Sequence, residues 1–239
     1  MTSTLRKLRP AKIRTALRRR WFEYRLNRLK LEPVRGLEQL GSDYGGWVIP
    51  AEAIGENWTC YCVGAGGDIS FDSELIQRYR AVVRCFDPDE DYVRRAQAAG
   101  ERLRGFSCHQ VAVAAGDGPL RMQRTHIPNS RSLSPADLYD TRDYVQVEGR
   151  TLSSLMEELG DQQTQLLKLD IEGGEYDVVP TLDLTGMGVQ VFCTQLHHTA
   201  SVRRARELIA AVRAQGFRLV GCKPAVKLTF LRDQTAAMN

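Results

Sequence analysis

From Trp58 onward the chain alternates short apolar runs with amphipathic stretches, and this alternation constrains the fold more than any other feature. Residues 59–63, 81–86, 106–114, 166–171 and 189–195 read as strands. Residues 70–80, 89–104, 151–159, 176–182 and 201–215 read as helices, the last with apolar positions at helical spacing and a stop at Gly216. Strands that alternate with helices predict right-handed crossovers and a mainly parallel, doubly wound α/β sheet. The runs at 217–222 and 225–231 are separated by Lys223-Pro224 alone, too little for a crossover helix, so they are expected to form an antiparallel hairpin at the sheet edge. Residues 33–57 and 121–145 carry no clear period and read as irregular. The expected organisation is a basic helical extension over 1–32, a connecting segment over 33–57 and the α/β domain over 58–239.

Charge is distributed unevenly. Residues 1–30 hold eleven Lys and Arg against one acid, Glu23, so the net +4 of the chain leaves the remainder at −6. A helix is expected over 5–31, with Ile13, Leu17, Trp21 and Tyr24 along one stripe and Phe22, Leu26 and Leu29 widening it. A basic helix with aromatic residues suits docking on the inner face of an anionic membrane. Packing on the domain or on a second copy of the chain is the alternative, and a −6 domain argues against nucleic acid. No apolar run reaches the roughly 18 residues of a membrane span, and the first thirty residues lack the apolar core of a signal peptide. Cys60, Cys62, Cys85, Cys108, Cys193 and Cys222 form no CxxC pair and mostly sit in apolar runs, which reads as free thiols in a cytoplasmic protein.

Parallel sheets bind ligands at the carboxyl ends of their strands. The first such end is Val63-Gly64-Ala65-Gly66-Gly67-Asp68, where glycines let a ligand approach the backbone. Ile69 stands where a dinucleotide fingerprint needs its third glycine. The next strand ends in Asp87, placed to accept the ribose hydroxyls of a nucleoside or to cap the following helix. The helix after the glycines opens with Asp68 and Asp72, which would repel a phosphate but suit the cationic S-adenosylmethionine. Gly64, Ala65, Gly66, Asp68, Asp87 and Ala112 are therefore the candidate cofactor residues.

A second group lies at the exit of the 166–171 strand. Lys168, Asp170 and Glu172 alternate onto one side, and His197 and His198 end the neighbouring strand. A hydroxyl that accepts a methyl group needs a base within hydrogen-bond reach. His197, Glu172 and Asp170 are the candidates for that chemistry. The same residues offer a divalent metal ion a possible but less favoured site, and no Cys/His spacing supports zinc. His126, Asn129 and Arg131, in the polar stretch between elements, are candidates for holding a polyhydroxylated acceptor.

Four segments taken together, Val63 to Asp72, Cys85-Phe86-Asp87-Pro88, Lys168 to Glu175 and Gln195-Leu196-His197, resemble the FkbM-type methyltransferases, and the Gly41-Ser42-Asp43-Tyr44-Gly45-Gly46-Trp47 segment is similar as well. The resemblance spans roughly residues 41–232. It implies a Rossmann-like class I fold, S-adenosylmethionine as methyl donor, and a hydroxyl of a carbohydrate, glycolipid or natural product as acceptor. Many such enzymes carry an acid two residues before the first glycine, to hold the methionine ammonium. Cys62 stands there in this chain, so the expectation is either that Asp68 takes its place or that the methionine end is held differently. The competing expectations are a nucleotide-dependent oxidoreductase and a non-catalytic membrane-associated protein with a degenerate site.

Overall fold

The structure is a computed structural model that describes residues 10–125, 130–136 and 141–233. The chain opens with α1 (Pro10–Leu26), then a hairpin of β1 (Leu37–Leu40) and β2 (Trp47–Pro50). There follow β3 (Thr59–Val63), α2 (Ser70–Tyr79), β4 (Val82–Asp87), α3 (Glu90–Gly100) and β5 (Phe106–Gln110). A second group comprises β6 (Ala112–Val113), β7 (Gly118–Arg124), β8 (Leu133–Ser134) and β9 (Tyr144–Arg150). The chain returns through α4 (Leu152–Leu159), β10 (Leu166–Leu169), α5 (Glu175–Val178), β11 (Val191–Gln195) and α6 (Val202–Ala214) to β12 (Phe217–Lys223) and β13 (Lys227–Arg232).

Seven strands form the main sheet in the order β12-β13-β11-β10-β3-β4-β5. The pairs β10–β11, β10–β3, β3–β4 and β4–β5 are parallel, and β12–β13 forms the expected antiparallel hairpin at the edge. From β3 the chain builds outward through β4 and β5, then returns to build the other half from β10. The order therefore reverses between β3 and β10, where such sheets hold ligands. Side chains alternate across the sheet. Tyr61, Val63, Leu167, Leu169 and Phe192 face α1, α4, α5 and α6, while Cys60, Cys62, Val83 and Cys193 face α2 and the β1–β2 hairpin.

Capping residues set the helix bounds. Thr151 accepts from the Ser154 amide, Ser201 from Arg204 and Asp89 from Tyr92. The cap of α3 is therefore Asp89 and not Asp87. All six cysteines are unpaired and five are buried.

Three expectations are corrected. The 33–57 segment is not an irregular connection: its hairpin buries Leu40, Trp47 and Ile49 on the α2 face of the sheet, and Val48 accepts a 2.6 Å bond from Thr229 of β13. The 106–145 region is not one strand followed by irregular chain. The 106–114 run breaks at Val111, and β6, β9, β7 and β8 form a separate four-stranded sheet. In α1 the core takes Phe22 and Leu26, both fully buried, whereas Leu17, Trp21 and Tyr24 stay exposed. No described helix is long and apolar enough to cross a membrane.

Candidate active site

The reversal point is built by close backbone contact. Gly64 has φ +87°, its amide donates to the Phe86 carbonyl, and a Cβ there would lie 2.1 Å from the Asp170 carbonyl oxygen. Any side chain at 64 would force β3 and β10 apart. A cavity of about 440 Å³ opens over this point, within the range of small-molecule sites. Gly64, Ala65, Gly66, Asp68, Asp87 and Ala112 all line it. So do Asp170 and Glu172, so both sequence-derived groups meet in one cavity.

The strand-end acids are also tied to the backbone. Asp87 accepts from the amides of Ala65 (2.9 Å), Gly66 (3.2 Å) and Asp89 (2.9 Å), which fixes the glycine turn against β4. Burial pushes its pKa up to about 6, and the three amides only partly offset that. Asp68 accepts from Ser42 Oγ (2.5 Å) and the Ser70 amide (2.8 Å), and Ser42 Oγ in turn accepts from the Gly45 amide. These bonds clamp the β1–β2 turn onto the start of α2. Burial alone would raise the Asp68 carboxyl, but these hydroxyl and amide donors hold it below the usual carboxylate range. Cys62 faces away from the cavity into the α2 packing, where burial pushes its thiol far above the usual range. It is a core residue.

Beneath the glycine turn lies a buried charge set. Lys168 Nζ donates to the Gly64 carbonyl at 2.6 Å. Burial opposes its charge, but Asp170 and Asp72 outweigh that and hold the ammonium above the ordinary lysine value. Asp72 and Asp170 are themselves raised, chiefly by burial.

His197 sits behind the cavity wall and does not line it. Its Nδ1 lies 3.0 Å from Glu175 Oε1, and its Nε2 lies 3.3 Å from Glu172 Oε2 and 3.9 Å from Asp170 Oδ1. Burial alone would lower the imidazole pKa, but Glu175 and Glu172 outweigh it and keep the ring protonated well above the ordinary range. The ring lies against three carboxylates and away from the cavity lining, so its geometry suits orienting Glu172 and Asp170 rather than touching the acceptor. The ring binds the carboxylates that face the cavity. Glu175, fully buried, also accepts from the amides of Ile171 (3.0 Å) and Gly173 (2.9 Å). Glu172 holds φ +52°, a strained conformation for a side chain with Cβ, and its carbonyl accepts from Ser134 Oγ at 2.5 Å. Backbone strain of this kind persists where the surroundings over-determine it, commonly at functional sites.

The other candidates separate. His198 does not line the cavity. Arg131 pairs with Asp89 (3.2 Å) and Asp91 (2.6 Å) and so secures its loop to α3. His126 and Asn129 lie outside the described residues. Asp170, Glu175 and His197 have the spacing to hold a metal ion. An ion there would have to displace a proton of the His197 ring and compete with the two amides that already bind Glu175. Sequence reasoning missed Tyr44, which lines the cavity from the β1–β2 turn while its carbonyl accepts from Lys227 Nζ at 2.7 Å. It also missed Lys227 itself and Glu175, whose position four residues after Ile171 was a local signal for a carboxylate folding back on that turn.

A doubly wound sheet with a glycine turn, a strand-end Asp and acids grouped at its reversal point defines a Rossmann-like nucleoside-binding domain. Over residues 42–219 the chain matches the family model of the methyltransferase FkbM domain, and the chain belongs to that family. Similar solved structures include the fibrillarin pre-rRNA processing protein of Methanococcus jannaschii, at TM-score 0.45 and 8% identity over 86% of each chain. A candidate methyltransferase from Thermoplasma acidophilum aligns at TM-score 0.41 and 11% identity, also over 86% of each chain. No curated protein sequence matches the chain. Membership in a methyltransferase family sets aside the oxidoreductase expectation. The family implies S-adenosylmethionine, and the residues present fit it. A Cβ at Gly66 would meet nothing within 4 Å, which leaves the turn open to a ligand. Five carboxylates, Asp43, Asp68, Asp87, Asp170 and Glu172, line the cavity beside Arg19, Lys168, Lys223 and Lys227, and offer acids to a sulfonium and an ammonium.

Proposed function

We propose that this protein is an S-adenosylmethionine-dependent O-methyltransferase acting on a hydroxyl of a carbohydrate, glycolipid or natural product. The observation that carries this reading is the convergence of Asp170 and Glu172 on the cavity, held from behind by the His197–Glu175 pair. Bound S-adenosylmethionine supplies an electrophilic methyl carbon. The chain supplies position and proton handling. Gly64 to Gly66 and Asp87 would seat the nucleoside, with the ionised Asp87 accepting from the ribose hydroxyls. Glu172, aimed by His197, would take the acceptor's proton on a carboxylate oxygen as the oxygen attacks. Asp170, nearer the glycine turn, would face the cationic end of the donor. A hydroxyl acceptor is favoured because a carboxylate base serves a nucleophile that must lose a proton as it reacts.

The test is methyl transfer by the purified protein from isotopically labelled S-adenosylmethionine into fractionated glycans, glycolipids and hydroxylated small molecules, with and without a strong chelator. We expect labelled products one methylene heavier, formed equally in both arms because the Glu175 carboxylate is already engaged by the Ile171 and Gly173 amides and by the His197 ring. Labelled products confined to amines would refute O-methylation. Activity that vanishes with chelator and returns with a divalent ion would replace the proton-transfer reading of Glu172 with a metal held by Asp170, Glu175 and His197.

A further inference from the structure

The first helix carries two apolar faces, and its own domain uses one. At 3.6 residues per turn, Leu17, Trp21 and Tyr24 point within about 40° of one direction, while Phe22 and Leu26 point roughly the opposite way. Phe22 and Leu26 are buried at 2% and 0% exposure, against 61%, 53% and 56% for Leu17, Trp21 and Tyr24. Arg18 and Arg25 flank the outward stripe on one side and Arg20 on the other, with Arg28 continuing its line. Arg25 lies over the Trp21 ring at 5.5 Å and Arg28 over Tyr24 at 5.1 Å. Among the described residues the helix makes one ion pair, Arg19 with Glu23.

We propose that this outward face of α1 docks on an anionic lipid surface. An apolar stripe of Leu, Trp and Tyr bordered by arginines matches the two layers of such a surface, with acyl chains below and anionic headgroups at the level of the guanidinium groups. Charge complementarity selects the occupant. A second copy of the chain would bring the same arginines against one another. A nucleic acid would attract the arginines but leave the apolar stripe without a partner. The docked helix would remain attached to the catalytic domain through Phe22 and Leu26, and Arg19, on the same helix, lines the cavity. Arg19 projects on the Phe22 and Leu26 side, so docking holds the cavity on the far side of α1, one helix diameter (about 10–12 Å) from the surface. The inference does not depend on what the cavity methylates.

The test is co-sedimentation of the full chain with sucrose-loaded vesicles of phosphatidylcholine alone or with about a third phosphatidylglycerol, over a range of salt. The intact protein should sediment with the anionic vesicles only, less as salt rises, and its tryptophan emission should shift to the blue. Trp21→Ala with Tyr24→Ala should weaken binding at least tenfold at unchanged thermal stability, since neither side chain is buried. Arg18→Gln, Arg20→Gln and Arg25→Gln combined should also weaken it and flatten the salt dependence, which supplies a second route if the aromatic variant misfolds. Equal binding to neutral vesicles, no binding to either, or full binding by both variants would overturn the proposal. So would a dimer that the aromatic variant converts to monomer, or stronger binding to single-stranded DNA than to anionic vesicles.

Discussion

Glu172→Gln is expected to lower turnover by about 10²–10⁴-fold, the range for losing a positioned proton acceptor. The amide keeps the shape of the side chain and still reaches the His197 ring, so the fold should persist and cofactor affinity should change little. Asp170→Asn should lose turnover as well, with a larger effect on cofactor binding, because Asp170 abuts the glycine turn: a Cβ at Gly64 would strike its carbonyl. His197→Ala acts differently, since the ring lies behind the wall. It removes the cation that holds Glu175, Glu172 and Asp170 together, so it should cost stability together with turnover. Steady-state kinetics beside thermal melts separates these cases. A folded Glu172→Gln protein with full turnover would make Glu172 a turn residue only.

Lys168→Met should produce the largest loss of stability. Lys168 is 6% exposed and Asp72 is 2% exposed, and removing one member of a buried charge set costs about 3–5 kcal/mol because the remaining charges lose their compensation. The loss should depend on pH. Burial already raises the Asp72 pKa, and without the ammonium it rises further. A carboxyl raised in the folded state is stabilising when protonated at low pH, and that stability is lost as pH rises through its folded pKa. The variant should therefore be closest to the parent at low pH and furthest from it above neutrality. Urea unfolding at about pH 5 and about pH 8 measures this, the deficit being larger at the higher pH. A loss below about 1 kcal/mol at both values would mean that the buried carboxyls are not held by Lys168.

How much of this was legible follows from how local each signal is. The glycine turn and Asp87 were readable because a tight turn after an apolar run and an acid ending the next run are features of contiguous sequence. Asp170 and Glu172 were readable for the same reason. The role of His197 was not: its chain position puts it beside the carboxylates, but only the fold shows that Glu175 reaches its Nδ1 and that the ring lies behind the wall. Tyr44 was hidden in a segment whose strands are four residues each, too short for a period to stand out. The β7 and β9 strands were missed because the eye follows apolar runs. Tyr144–Arg150 does alternate, YVQVEGR, but only Gly149 is buried and every second residue from Tyr144 to Glu148 is exposed, so polarity masked a period of two. In α1 the spacing put Trp21 and Tyr24 on one widened apolar face with Phe22 and Leu26. The sheet instead took Phe22 and Leu26, which a helical spacing of four makes equally compatible with a packed face.

The central claim, a nucleoside-bearing cationic donor seated on the glycine turn and Asp87, is tested most directly by calorimetric titration with S-adenosylhomocysteine across pH. Burial pushes the Asp87 carboxyl up to about 6, while the ribose hydroxyls require it ionised. Binding should therefore release a proton near pH 6, be constant above neutrality and weaken about tenfold for each unit below pH 6. Asp87→Asn should bind about 1–3 kcal/mol more weakly with no such slope. Absence of binding to the intact protein, or a pH profile that Asp87→Asn leaves unchanged, would contradict the account.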